Sequence, residues 1–309
     1  MTAVKSMGFF HALKKYRAYY LLALPGLLYL LIFRYVPMAG LVIAFKDISP
    51  FSGIQGILTQ PFVGFRWFQK FFHSYYFWNI LGNTIGIRLQ WILFGFPVPI
   101  ILALSLNEVM SGGYKRVIQT VSYIPYFFSS VVVAGLVMTI LTTEGGLVNN
   151  ILRLLGREPV MFLASPKYFR SILVVTYIWQ GAGWGSIVYL AAITGIDPQL
   201  YESAGLDGAG RFQKAVHITV PCIASIIVLL LILNIGNLLE AGFEIIFLLY
   251  SEPVYKVADV IDTYVYRSGL IGMQYSFATA VGLFKSIVAM ILLILADFTA
   301  KRLDQPGLF

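Results

Sequence analysis

Apolar residues run on for longer than a globular core helix requires at five places, 80–106, 117–142, 171–196, 222–249 and 277–300. A sixth run, 19–45, holds despite Arg34 and Pro37. The hydrocarbon core of a bilayer is about 30 Å thick, so about 20 mostly apolar residues cross it as one helix. The pattern therefore predicts an all-α, polytopic membrane protein with six transmembrane helices. A transmembrane β-barrel would instead show segments of ~10 residues alternating in polarity, and the sequence has no such alternation. Residues 1–18 form a basic cytoplasmic lead and 19–309 a single membrane domain, with no low-complexity linker and no convincing internal repeat. No small-residue cleavage site follows the first apolar run, so that run is expected to stay as a span.

Composition agrees with the pattern. Of 309 residues, 59% are hydrophobic and 12% charged, against about a quarter charged in soluble domains. The net charge of +8 fits membrane topology better than nucleic-acid binding, because basic residues gather beside spans on the cytoplasmic side. With the N-terminus inside, the inner segments hold Lys5, Lys14, Lys15, Arg17, Lys115, Arg116, Arg211, Lys214, Lys301 and Arg302. Cys222 is the only cysteine, which excludes an internal disulfide, and His11, His73 and His217 are too scattered for a metal site. The outer stretch FVGFRWFQKFFHSYYFWN (62–79) is dense in aromatic rings and predicts an interfacial helix at headgroup level. GGLVNNILRLLG (145–156) predicts a short amphipathic helix between glycine turns in the second outer loop, and 251–276 forms the third. Gly82 with Gly86, and Gly181 with Gly185, have the spacing that lets membrane helices approach closely.

Between two apolar runs lies a charged segment, GIDPQLYESAGLDGAGRFQKAVHITVP (195–221). Asp197 before Pro198 reads as a helix start, since the carboxylate accepts from free backbone N–H groups and proline fits the first helical position. Asp207-Gly208-Ala209-Gly210 reads as a turn needing positive φ. A second helix follows with Phe212, Ala215, Val216 and Thr219 on one side, ended by Pro221. Helix connections in bundles usually take 2–8 residues. A longer, structured and charge-balanced one is expected to dock something.

Glu202-Ser203-Ala204, three residues, Gly208, nine residues and Ile218-x-Val220-Pro221 resemble the EAA signature, EAA-x3-G-x9-I-x-L-P, of bacterial ABC-importer permeases. The sequence departs from it at Ser203 and Val220. FVGFRWF (62–68), Asn83-Thr84, IPYFFSS (124–130), GGLVNNIL (145–152) and DPQLYESAGLDGA (197–209) are similar to carbohydrate-type permeases. Residues 21–54 are similar to the subgroup that imports polysaccharide fragments. The resemblance covers nearly the whole chain. It implies a multi-pass subunit of a bacterial plasma membrane, paired with a second permease, two ATPase subunits and an extracytoplasmic solute-binding protein, moving oligosaccharide and binding no nucleic acid. It also implies that 197–221 couples to the ATPase, with Glu202 as a polar contact, Gly208 as the corner, and Ser203, Ala204, Asp207, Arg211, Ile218 and Pro221 around them. The chain has no G-x-x-x-x-G-K-[ST] and no Gly-Lys pair. ATP and Mg are therefore expected on the partner, with no cofactor and no bond-making chemistry here.

Polar residues inside spans mark a pathway or a helix contact. On a continuous fifth helix Asn234, Asn237, Glu240 and Glu244 would share one face, either lining a cavity or making packing contacts. Lys285, about as deep in span six as Glu240 is in span five, is expected to pair with Glu240 or Glu244. Tyr177, Gln180 and Trp184 lie at i, i+3 and i+7, a face that suits sugar rings or plain packing, and Asn83 joins the pathway candidates. Arg88 and Arg34 favour either an anionic saccharide or structural pairing with backbone carbonyls, the latter preferred. A secondary transporter of a polar solute is the alternative, and it would need an ion site or internal symmetry. A membrane enzyme would need a clustered His/Asp/Glu or Ser/His set.

Overall fold

The computed structural model describes residues 15–49, 51–53, 55–303 and 307–308. Most of the basic lead, including Lys5, His11 and Lys14, lies outside the described residues. Four of the six apolar runs are single long helices: α1 (Arg17–Phe45), α3 (Phe77–Glu108), α7 (Pro166–Thr194) and α13 (Tyr275–Arg302). The interfacial helix α2 is Arg66–Phe72. It is tied down by Trp67 Nε1 donating to Lys46 O at 2.8 Å and by Lys70 Nζ donating to Gln274 Oε1 at 2.8 Å. The outer helix α6 (Leu147–Leu154) lies between Gly145 and Gly156, both at positive φ.

The other two runs are broken. Residues 117–142 divide into α4 (Gly112–Phe127) and α5 (Ser130–Leu141), bent by 104°. The last turn of α4, Ile124–Phe127, tightens to 3-10, and Ser129 then caps α5 by accepting the N–H of Val132. Residues 222–249 divide into α10 (Ala224–Gly236) and α11 (Phe243–Leu249). The 237–242 link is non-helical, and Gly242 at its end has φ +85°, a backbone conformation costly for any residue with a Cβ.

Three spans carry a π turn just before a proline: Leu31–Tyr35 before Pro37, Trp91–Gly95 before Pro97, and Ala215–Thr219 before Pro221. Proline lacks an N–H and its ring crowds the carbonyl four residues back. A locally widened turn absorbs that conflict without breaking the helix. The helix therefore runs through Pro221, contrary to the expected stop there, and the bend of 65° comes after Cys222.

Helix α7 is the axis of the bundle, packed along α3 and against α4, with Phe169, Leu173, Leu190 and Ile193 buried. Its closest approach is at Gly183, where an added Cβ would run into the backbone carbonyl of Ser122. Gly185 meets Pro99 Cγ at 3.1 Å and Gly86 meets Arg170 at 3.5 Å, while Gly82 and Gly181 have nothing within 4 Å. Only one glycine of each predicted pair thus meets a neighbour, and the tightest approach belongs to a glycine outside both. Helix α13 packs on α10 and on the last turns of α1.

At the outer end a buried polar network anchors the loop after α11. Asn83 Nδ2 donates to Asp259 O at 2.9 Å and Lys256 O at 3.2 Å, and its Oδ1 accepts from Arg170 Nη2 at 2.6 Å. Thr84 Oγ1 accepts the N–H of Ile261 at 3.0 Å, the first residue of α12 (Ile261–Val265). Asn83 is 3% exposed and both donors of its amide are spent, so it is a clamp on this loop, shut away from a passing solute. Arg267 donates to both oxygens of Asp259, at 2.8 and 2.6 Å, and that carboxylate raises the guanidinium pKa above its usual value.

Candidate functional site

The two breaks face each other across α7. Tyr177, eleven residues into α7 and so roughly 16 Å along it, donates its hydroxyl to Gly242 O at 2.7 Å, with Ala241 O at 3.1 Å. Gln180, one turn further, donates to Phe128 O at 3.2 Å. Ser130, at the start of α5, donates to the carboxylate of Glu244 in the first turn of α11. Irregular backbone at membrane depth survives only where protein or a water-lined cavity satisfies it, and these side chains supply much of that.

Two cavities adjoin the breaks. One of about 300 Å³ is lined by Ile87, Arg88, Trp91, Tyr126, Tyr177 and Gln180, with the Ala241 and Gly242 backbone as one wall. The second, of about 370 Å³, shares Arg88 and Gly242 and adds Asn237, Glu240, Asp262 and Lys285. Arg88 thus belongs to both. Its Nη2 donates to Asn234 Oδ1 at 3.0 Å, and its guanidinium lies 4.3 Å from the centre of the Trp91 ring. Beside the first cavity Trp184 stacks on Tyr126, 4.7 Å between centroids at 4°. The arrangement offers aromatic faces, amides and fixed charges to a polar solute.

Three sequence expectations change here. Asn234, Asn237, Glu240 and Glu244 do not form one helical face, because the helix ends at Gly236 and the chain turns through 237–242. Asn234 holds Arg88, Glu244 joins the two breaks, and Asn237 and Glu240 line the second cavity. Lys285 pairs with Asp262, not with Glu240 or Glu244. Asp262 lies in α12, where the outer loop returns toward α13, so comparing depths on two spans could not find it. Arg88 bonds a side-chain amide and not the expected backbone carbonyl, while Arg34 is exposed in the π turn of α1. Asp262 and Arg88 were the residues underweighted by sequence; an ionisable residue inside a span was the available signal for Arg88.

Replacing Tyr177 by Phe removes the hydroxyl that reaches the Ala241 and Gly242 carbonyls, and leaving buried acceptors unmet costs about 1–3 kcal/mol. We expect a lower melting temperature for the purified chain and faster amide exchange in 237–242. Unchanged exchange there would mean other contacts hold the break.

At the inner end the charged segment forms two short helices, α8 (Pro198–Leu206) and α9 (Arg211–Cys222). Asp197 accepts from the N–H of Gln199 at 3.0 Å and caps α8 as expected. Gly208 makes the corner at φ +79°, and Gln213 Oε1 accepts the Gly210 N–H at 2.8 Å. Tyr201 and Thr219 hydroxyls, 2.9 Å apart, join the two helices. Arg211 reaches Glu108 at the end of α3 at 3.7 Å, but both side chains are well exposed, which makes that tie weak. The predicted apolar side of α9 divides: Thr219 is buried, while Phe212 is 81% exposed, and in α8 Leu206 is 91% exposed. Glu202, Ser203 and Asp207 are also exposed, and Ala204, Asp207, Gly208 and Ile218 line a cleft with Lys214 and His217. The knob therefore exposes two apolar side chains, Leu206 and Phe212, together with the charged Glu202, Asp207 and Arg211.

The sequence matches the family model described as binding-protein-dependent transport system inner membrane component over residues 95–306. It is 45% identical over 309 residues to Protein LplB of Bacillus subtilis (strain 168), covering all of this chain and 96% of that one. It is 47% identical over 290 residues to the polygalacturonan/rhamnogalacturonan transport system permease protein YteP of the same organism, covering 94% and 89%. It is also similar to a chain of a bacterial alginate ABC transporter, crystallised in complex with an alginate pentasaccharide-bound periplasmic protein. The TM-score is 0.89 at 43% identity, covering 98% of this chain and 100% of that one.

Proposed function

This chain belongs to the family of binding-protein-dependent transport system inner membrane components, and we propose that it is the permease subunit of an ATP-driven importer of oligosaccharides or polysaccharide fragments. It is a multi-pass protein of the bacterial plasma membrane. A second permease subunit, a pair of ATPase subunits and an extracytoplasmic solute-binding protein complete the importer. The observation that carries the reading is the joint presence of two broken spans around a cavity into which Arg88, Tyr177 and Gln180 are set and a knob bearing the EAA-type pattern at the inner end.

The subunit itself makes and breaks no covalent bond. ATP and Mg belong to the partner ATPase, whose phosphate-binding loop this chain lacks. Leu206 and Phe212 supply the apolar centre of the ATPase contact, with Glu202, Asp207 and Arg211 as its polar surround. The Tyr201 and Thr219 hydroxyls hold α8 to α9, and Ala204 and Ile218 line the cleft beside that tie. Because the knob is short and internally bonded, closure of the ATPase pair would move it as a rigid body. That motion reaches α7 and α10, which flank the knob in sequence, and so reaches the two breaks. In one state the cavity faces the binding protein, and in the other it releases solute inward. Trp184, Tyr126 and Gln180 give sugar rings and hydroxyls places to rest on the way, beside Asn237 and Glu240.

The test is uptake in proteoliposomes after the phosphate-gripping lysine of the partner ATPase is replaced by Ala. Saccharide uptake is expected to stop while the loaded binding protein still docks. Continued uptake driven by an ion gradient would establish the secondary-transporter reading instead.

A further inference from the structure

The charged groups around the breaks are unequally provided for. Lys285 is neutralised by Asp262, and Glu244 takes the Ser130 hydroxyl. Arg88 has neither arrangement. No carboxylate lies within ion-pair distance of it among the described residues, and Glu240, which shares the second cavity, stays beyond 4 Å. Among the described residues only Nη2 is spent, on Asn234, and the buried Nε finds no acceptor. An ionised side chain inside a membrane domain is expensive and is normally paired. A buried donor without an acceptor adds to that cost. The guanidinium is nevertheless held still: Trp91 lies against its face, and Asn234 is itself anchored through Nδ2 to Leu230 O at 2.8 Å. A cation fixed in place, short of acceptors and set in the wall between two cavities is suited to a planar, acidic acceptor that arrives from outside the chain.

Resting on the permease reading, we propose that Arg88 reads the carboxylate of an anionic saccharide, a uronate-containing oligomer, as it passes between the two cavities. Around that carboxylate, Trp91 and Tyr126 offer ring faces to the pyranose and Gln180 an amide to its hydroxyls. Glu240 is the resident opposing charge. It keeps the passage from binding an anion so tightly that it cannot leave, since conduction needs sites that also release. Removing Glu240 should strengthen discrimination for the acid, and removing the Arg88 charge should weaken it.

The experiment uses the complete importer in proteoliposomes with its binding protein, and the probes are trigalacturonate and its fully methyl-esterified form. The readout is the ratio of acid to ester uptake, which a merely structural role for Arg88 would not move. Arg88→Gln is expected to lower the ratio about tenfold, the scale of one charge-assisted hydrogen bond. Arg88→Lys, which keeps the charge and loses the planar fork, should fall between. Glu240→Gln should raise the ratio, and this arm stands even if the Arg88 variants fail to assemble. An unchanged ratio in these variants overturns the proposal. So does a wild-type importer that takes up neither probe but does take up neutral cellotriose, an outcome that leaves the permease reading standing. Uptake of no saccharide at all would instead remove the permease reading.

Discussion

Replacing Asp259 by Ala is expected to cost about 3 kcal/mol of stability, the low end of the range for removing one partner of a buried ion pair. Asp259 is 5% exposed and accepts from both Nη atoms of Arg267 and from the Thr263 hydroxyl at 2.6 Å. Truncation strands the guanidinium and the hydroxyl together. The Arg267 side chain keeps 31% of its surface open, so water recovers part of the loss, which places the estimate at the low end. The same loop holds Asn83 and Arg170 through the Asp259, Lys256 and Val257 carbonyls. Loosening it should therefore show as early unfolding of the outer end. Thermal unfolding of the purified chain checks this, with Asp259→Leu/Arg267→Met as the companion. Removing both charges together should recover most of the loss. If the double variant lost as much as the two single variants summed, the pair would not be the source of the stability.

Gly208→Val is expected to reduce saccharide uptake about tenfold or more while leaving the chain inserted and folded. Gly208 sits at φ +79°, with open space around the position a Cβ would take, so the penalty comes from backbone conformation and not from a clash. An L-residue in the left-handed region costs roughly 1–2 kcal/mol, and a β-branched one is more strongly disfavoured. Relief comes by changing the corner, which swings α8 relative to α9 and spoils the contact made by Leu206 and Phe212. Gly210→Ala is the control. Gly210 has φ −73°, and its nearest atom to an added Cβ is Gln213 Oε1 at 3.8 Å, so the variant should behave like the parent. Uptake per assembled complex is the measurement. Equal activities for the two variants would show that the corner angle does not matter to coupling.

The spans were legible because bilayer crossing is a demand on length and polarity, and 19–45, 80–106, 171–196 and 277–300 meet it in the one way a helix can. The breaks in 117–142 and 222–249 were not legible, because an apolar run has the same composition whether straight or bent. Pro125 and the paired Ser129 and Ser130 hinted at the first. For the second, only Gly242 and the isolated polar residues Asn237 and Glu240 carried a hint, and a helical wheel drawn through them conceals it. The cap and corner of the charged knob were legible because they are local: Asp197, Pro198 and Gly208 act on their own neighbourhoods. Pro221, by contrast, did not end its helix, because the π turn before it absorbs the missing N–H. The π turns were in principle legible from Pro37, Pro97 and Pro221.

By itself the sequence determined the membrane class, the helical fold, the charged knob and its kinship with import permeases, since hydropathy, turn chemistry and motif spacing are properties of short stretches. Only the tertiary structure decided that Asn83 is a clamp, that Lys285 belongs to Asp262 and that Arg88 stands between two cavities with no carboxylate in ion-pair distance among the described residues. Those facts join residues 23 to 176 positions apart. Which partner each polar group finds depends on where the breaks turn the chain, and nothing in a one-dimensional pattern encodes that meeting.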